Sequence, residues 1–285
     1  MDYRRAADLK DAVSLRQQMG YPFVAGGTDI YPAIENGIRF SGLIDVSKVD
    51  ALGGKIRCEG NDWIIPALAT WTDVVEADLP AQFNSLKQAA SEVGGRQIQN
   101  TGTVAGNICN ASPAADGIPA LMAMDAKVVI AGPADEREVL LEQFVLGNRK
   151  TDLNEGEILC AVKVPARGDR TASAFRKLGA RRYLVISIVM AAATLECDAA
   201  GKITYAGISI GACAARALRL PDWEAALRGR QIGDLETVEM TPAFLSPLTP
   251  MDDIRGSGEY RKHAAGVLVR EALVNAAARL NEQVV

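Results

Sequence analysis

The stretch Glu92–Asp116, EVGGRQIQNTGTVAGNICNASPAAD, limits what this chain can fold into more than any other. Gly94, Gly95, Gly102 and Gly106 run through it, with Asn100, Thr101, Thr103, Asn107 and Asn110 between them. Glycine lets backbone amides come close to a ligand, and Asn and Thr add neutral hydrogen bonds. Neither the helical nor the strand period fits the polar part. It therefore reads as a long, irregular, ordered loop, a kind of segment that is usually functional. A second glycine pair stands upstream in Phe23–Ile30, FVAGGTDI. Together the two segments read as halves of one cradle for a large phosphorylated cofactor.

Around Gly26-Gly27 the order is strand (PFVAG), turn, helix (TDIYPAIENG) and strand (42–49). Thr28 or Asp29 can cap that helix. Free amides at a helix start favour an anion, typically phosphate. A glycine pair also makes an ordinary tight turn, the commoner reason for one.

Elsewhere the chain alternates short helices and strands. Residues 7–19 form a helix that Gly20 closes. Residues 50–70 hold a strand pair, 71–79 a helix capped by Thr70 or Thr72, and 83–94 another helix. A helix over 117–126 has Asp116 as its N-cap, and 155–165 is a strand. The polar stretch 166–173 marks a domain boundary. Beyond it SIVMAAATLEC and ITYAGISIGAC read as antiparallel strands joined by a turn at Asp198–Lys202. Residues 221–229 form a helix. The last helix, 259–281, places Val267, Leu268, Leu273 and Val274 on or near one stripe, with His263 in its first turns.

Several function classes drop out. With net charge −4 and no basic stripe, nucleic acid is not the expected partner. No apolar run approaches the roughly 20 residues needed to cross a bilayer. The start, MDYRRAADLKDAV, lacks a signal peptide's apolar core, so a cytoplasmic location is expected. The five cysteines form no CxxC pair, which argues against a zinc site or iron–sulfur cluster on this chain. A single histidine makes a catalytic triad or a His-rich metal site improbable. Neither GxGxxG nor GxxxxGK[ST] nor HExxH occurs. A glycine-rich chain so short of acid–base equipment reads as a cofactor carrier, and a flavin suits it because the cofactor supplies the chemistry.

VAGGTDI, GGRQIQNTGTVAGNICNASPAAD and DDIRGSGEYRKHAAGVLVREAL, in that order, resemble the FAD-binding medium subunit of the molybdenum hydroxylases. That family includes xanthine, carbon monoxide and nicotine dehydrogenases, and the resemblance spans nearly the whole chain. It implies an α+β architecture: a two-subdomain FAD-binding fold of the vanillyl-alcohol-oxidase (PCMH-like) type, over residues 1–55 and 56–165. A C-terminal domain over 166–285, with a three-stranded antiparallel sheet and helices, follows.

By the same resemblance Val24, Ala25, Gly26, Gly27, Thr28, Asp29 and Ile30 wrap the FAD pyrophosphate. Thr103, Ala105, Gly106 and Asn107 form the facing wall. Asn110 and Asp116 bond the cofactor further along, Asp116 through a ribose or ribityl hydroxyl, with the helix cap as its competing role. Leu159 packs on the cofactor, and Lys177, or its neighbour Arg176, lies near the isoalloxazine. Three positions depart from family members: TVAGN stands for the commoner TVGGN, Glu35 lies about where many members have a basic residue, and Val93 matches a flavin-stacking aromatic of single-chain xanthine dehydrogenases. No histidine adjoins Gly27-Thr28, so FAD is expected to be non-covalent. Molybdopterin would sit on a large partner subunit and two [2Fe–2S] clusters on a small one, in a dimer of heterotrimers. Electrons would pass from those clusters through FAD to NAD, oxygen or a quinone. The alternative is a free-standing flavin oxidase of a small alcohol.

Overall fold

The computed structural model describes residues 1–282. Strands and helices are numbered here in chain order. The N-terminal unit is β1 (Asp2–Arg5), α1 (Leu9–Met19), β2 (Phe23–Val24), α2 (Ile30–Glu35) and β3 (Gly42–Asp45). Its three strands are parallel, in the order β1-β3-β2. Asp8 caps α1 through the Asp11 amide, and Gly20 ends it in the left-handed region at φ 67°. β1 is absent from the sequence reading, because DYRR lies at a sheet edge and is polar and mostly exposed. Parallel strands require crossovers that return the chain to the same end. Here those crossovers bring the β2–α2 turn, residues 25–29, to the sheet's carboxyl end.

The second unit contains β4 (Arg57–Glu59), β5 (Asp62–Pro66), α3 (Trp71–Glu76), α4 (Asn84–Glu92), α5 (Arg96–Thr101), α6 (Val104–Asn110) and α7 (Gly117–Met122). It continues through β6 (Lys127–Ala131), β7 (Glu136–Leu140), α8 (Leu141–Phe144), β8 (Val145–Gly147), β9 (Lys150–Thr151) and β10 (Ile158–Pro165). Five strands make an antiparallel sheet in the order β4-β5-β10-β6-β7. Thr70 caps α3 in a full capping box with Asp73, as one of the two expected caps. The stretch expected to be an irregular loop instead folds into α5 and α6, with Gly102 as the joint. Helices of six and seven residues are too short to print a period on the sequence.

The C-terminal unit is β11 (Thr171–Leu178), β12 (Val189–Cys197), β13 (Ile203–Gly211), the two-residue β14 (Leu218–Arg219), α9 (Pro221–Leu227) and α10 (Gly258–Glu282). The three long strands are antiparallel neighbours, and β14 adds a short fourth. β12 is covered on both faces, so it reads as an unbroken apolar run. Its Met190 and Ala192 join the core of the first two units, while Val189, Ala191, Ala193 and Leu195 join the core beneath α10. Gly207 on β13 has to be glycine, since a Cβ there would lie 2.1 Å from the Ala123 carbonyl.

On α10 Leu268, Val269, Ala272, Leu273, Ala276 and Leu280 are buried. Val267 and Val274, expected beside them, are 43% and 36% exposed. Seven residues apart, they share the helix face that looks to solvent. The DDIRGSGEYRKH segment ties the domain together. The buried Arg261 guanidinium donates to the Ile188 carbonyl at 2.6 Å and to Asp253 Oδ1 at 2.6 Å. No described helix is long and apolar enough to cross a membrane.

Candidate functional site

A cavity of about 870 Å³ opens between the N-terminal unit and the second one. One wall is Val24–Ile30, the other Gly102–Asn110, with Leu159 of β10 between them. Of the fifteen residues expected at a cofactor, Val24, Ala25, Gly26, Gly27, Thr28, Asp29, Ile30, Thr103, Ala105, Gly106, Asn107, Asn110 and Leu159 line it. Residues from four separate elements therefore meet in one place.

The two walls touch. A Cβ on Gly26 would sit 1.8 Å from the Thr101 carbonyl oxygen, a backbone atom that cannot rotate away. Gly27 has φ 69° and lies under the Tyr31 ring, so it needs the left-handed region that glycine enters at little cost. Across the gap Asn110 Nδ2 donates to Asp29 Oδ1 at 3.1 Å. Neither Thr28 nor Asp29 caps α2, because Asp29 makes no side-chain cap bond and is engaged with Asn110 instead.

Gly26 to Asp29 lie between strand and helix, and their amides meet no acceptor among the described residues. Asn107 Oδ1 is buried without a partner. A buried polar atom in a native fold is normally bonded. This one is closed off beside Gly117, whereas the free amides of Gly26–Asp29 are what a hydrogen-bonding ligand in the cavity would satisfy. Thr103 caps α6, its Oγ1 accepting from the Gly106 amide at 3.0 Å. Ala105 sits within α6 and has no positive φ, so its methyl is compatible with this backbone. Val93 also lines the cavity and gives it aliphatic surface.

Asp116 and Lys177 are placed differently from the expectation. They do not line the cavity but meet each other, Lys177 Nζ to Asp116 Oδ2 at 2.6 Å. Ser187 Oγ donates to the second carboxylate oxygen at 2.5 Å. Asp116 makes no cap bond to α7. Burial pushes its carboxyl pKa upward, against the opposing pull of Lys177 and Ser187. Arg176, the other basic candidate, donates to the Phe175 carbonyl and approaches Glu271 at 3.8 Å.

Trp71 went unnoticed in the sequence. It is 1% exposed, lines the cavity, and packs over both Gly102 and Gly117. A tryptophan opening a capped helix reads as ordinary core, and only its proximity to Gly102 and Gly117 sets it apart. Cys109 is a further wall residue whose thiol pKa burial pushes up to about 12, which keeps it neutral. Gly207–Gly211, GISIG, has the spacing of a serine nucleophile turn. Ser209, however, is inside β13, fully buried, and bonds the Leu218 carbonyl at 3.1 Å. His263, which could have served as its base, lies exposed on α10.

The arrangement suits a long, polyhydroxylated, phosphorylated molecule. The free amides of Gly26–Asp29 could take a diphosphate, and Arg16 is the only cation among the described wall residues. Backbone dipoles can hold such an anion without further cations. FAD fits this set of groups.

Residues 1–167 match the family described as the FAD binding domain in molybdopterin dehydrogenase. Residues 173–276 match the CO dehydrogenase flavoprotein C-terminal domain. The carbon monoxide dehydrogenase medium chain of Hydrogenophaga pseudoflava is 28% identical over 98% of this chain and 97% of its own. The nicotinate dehydrogenase FAD-subunit of Eubacterium barkeri is 32% identical over 88% of this chain and 86% of its own. A solved Cu,Mo-CO dehydrogenase chain superposes with TM-score 0.89 at 27% identity, covering 98% of both chains. The paired glycine walls, the unpartnered Asn107 and these two matched regions place the chain in the FAD-binding subunit family of the molybdopterin dehydrogenases.

Proposed function

We propose that this chain carries FAD, non-covalently, as the electron-transfer subunit of a molybdenum-containing hydroxylase or dehydrogenase. The observation that carries the reading is the cavity of about 870 Å³ whose two walls are the glycine segments and whose Gly26–Asp29 amides meet no acceptor among the described residues. Bound FAD would supply the ability to accept and release electrons. The chain's own residues bind and orient it. Amides of Gly26–Asp29 would hold the diphosphate. Asn107 and Asn110 fix the facing side, and Trp71, Val93 and Leu159 exclude water from the apolar parts.

A solved carbon monoxide dehydrogenase from Hydrogenophaga pseudoflava, 28% identical, lacks the Mo-pyranopterin moiety of its molybdenum cofactor. Among the described residues of this chain no group of three or more His, Cys, Asp or Glu could hold a metal ion. In this reading the substrate would react on a molybdopterin-binding large subunit. A small subunit with [2Fe–2S] clusters would deliver electrons here, in a dimer of heterotrimers, and NAD or a quinone would take them away. Titrating the purified chain with FAD tests the binding step: one flavin per chain is expected, and no flavin uptake under any reconstitution refutes it. Mixing with the partner subunits tests the transfer step. Substrate should bleach the flavin in the complex and leave the isolated chain's flavin oxidised.

A further inference from the structure

Asp116 holds both ends of one loop. Lys177 is the penultimate residue of β11, and Ser187 lies just before β12. Each gives its hydrogen bond to a different oxygen of the same carboxylate, at 2.6 and 2.5 Å. The Ile188 amide closes the loop on the Leu178 carbonyl at 2.8 Å. Asp116 is 7% and Ser187 2% exposed, and the Lys177 side chain is 7% exposed. Between these ends the chain has no core of its own. Tyr183, Leu184 and Ile186 are 66%, 45% and 55% exposed.

The tip of the loop reaches the cavity wall. Leu184 Cδ2 lies 3.4 Å from where a Cβ of Gly95 would be. The residues flanking that glycine turn, Val93 and Ile98, line the cavity. Leu184 has φ 55°, and Arg181 Nε secures its carbonyl at 2.9 Å. Asp116 belongs to the second unit, whereas Lys177 and Ser187 belong to the C-terminal one.

We infer that Asp116 is a positioning residue: it staples the 178–188 strap at both ends and so keeps Leu184 against the Gly94-Gly95 wall. The loop buries too little apolar surface to hold itself in place. A buried carboxylate bonded to an ammonium and a hydroxyl can do it, because losing one partner leaves the other charge uncompensated. The inference goes beyond the cofactor reading and does not depend on which ligand fills the cavity.

Native-state trypsin digestion of the full chain tests it, since Arg181 and Arg182 sit within the strap. Such cleavage follows the population of the locally opened form. Asp116→Asn and Lys177→Met should each speed cleavage after Arg181 or Arg182 at least fivefold, while cleavage after Arg228 and Arg230, exposed after α9, keeps its wild-type rate. Exchange of the Ile188 amide should accelerate in parallel. If Asp116→Asn misfolds, Ser187→Ala, which leaves the ion pair intact, carries the test with an expected twofold to threefold rise. Wild-type cleavage in the strap of a folded variant overturns the inference. So does a rise at Arg228 and Arg230 equal to that in the strap.

Discussion

Asn110 and Asp29 stand 81 residues apart in the chain and bond directly across the cavity, Nδ2 to Oδ1 at 3.1 Å. The bond joins the two glycine segments through side chains rather than backbone. A hydrogen bond of this kind contributes about 0.5–1.5 kcal/mol net. Asn110→Ala should therefore weaken FAD affinity by roughly twofold to tenfold, with a fluorescence titration as the measurement. Asp29→Ala should do the same, and the double variant should lose less than the sum, because both remove one interaction. Strict additivity in that cycle would show that the bond does not couple the walls.

Gly26 is fixed by the fold itself. Gly26→Ala sets a methyl against the Thr101 carbonyl, and the backbone has to separate the walls to admit it. Forcing such an overlap costs about 1–3 kcal/mol, occasionally more. The variant should melt earlier and purify without flavin. Gly233→Ala serves as the control, because a Cβ there meets nothing within 4 Å. A Gly26→Ala chain with wild-type flavin content would mean that the two walls do not meet as described.

Ala105 gives the opposite expectation. It lies inside α6 without positive φ, so a glycine there gains no needed freedom. Ala105→Gly should cost about 1 kcal/mol of stability, the usual helix penalty for glycine, and leave the flavin-to-protein ratio unchanged. Urea midpoints and absorbance spectra check both parts. A stability gain would show that the helix is strained there.

Much of the site could be read from the residues, because its signals are local. Gly26-Gly27 announces a turn that backbone must approach, Thr70 with Asp73 announces a helix start, and Asp198–Lys202 announces a hairpin. What escaped is not local. α5 and α6 are each shorter than two full turns, so burial of Ile108 and the closing of Gly102 on the Ile98 carbonyl decide them, not a period. The Asp116–Lys177 pair joins residues 61 apart, and its geometry depends on how the C-terminal sheet docks. That docking is set by one glycine and two ion pairs. Gly207 admits the Ala123 carbonyl, and Arg167 and Arg219 converge on Asp125 at 2.6 and 2.7 Å. Nothing in the composition of either segment names its partner.

Asp45 provides a pH dependence that begins beneath the cavity, at the end of β3 beside the lining residue Val46. Burial alone would raise its pKa. Hydrogen bonds from Ser47, the Tyr3 hydroxyl and Arg5 outweigh it and bring the pKa from 3.8 to about 2. A folded-state pKa below the unfolded one means the carboxylate stabilises the fold above pH 4 or so. That contribution is lost as pH falls through about 2, and at neutral pH it amounts to about 2 kcal/mol. Asp45→Asn should therefore lower the unfolding free energy by about that amount at pH 7. The gap between the variant and wild type should narrow steadily between pH 4 and pH 2. Urea denaturation of both proteins across that range is the measurement, and a gap of constant size would show that the Asp45 charge does not supply the stabilisation.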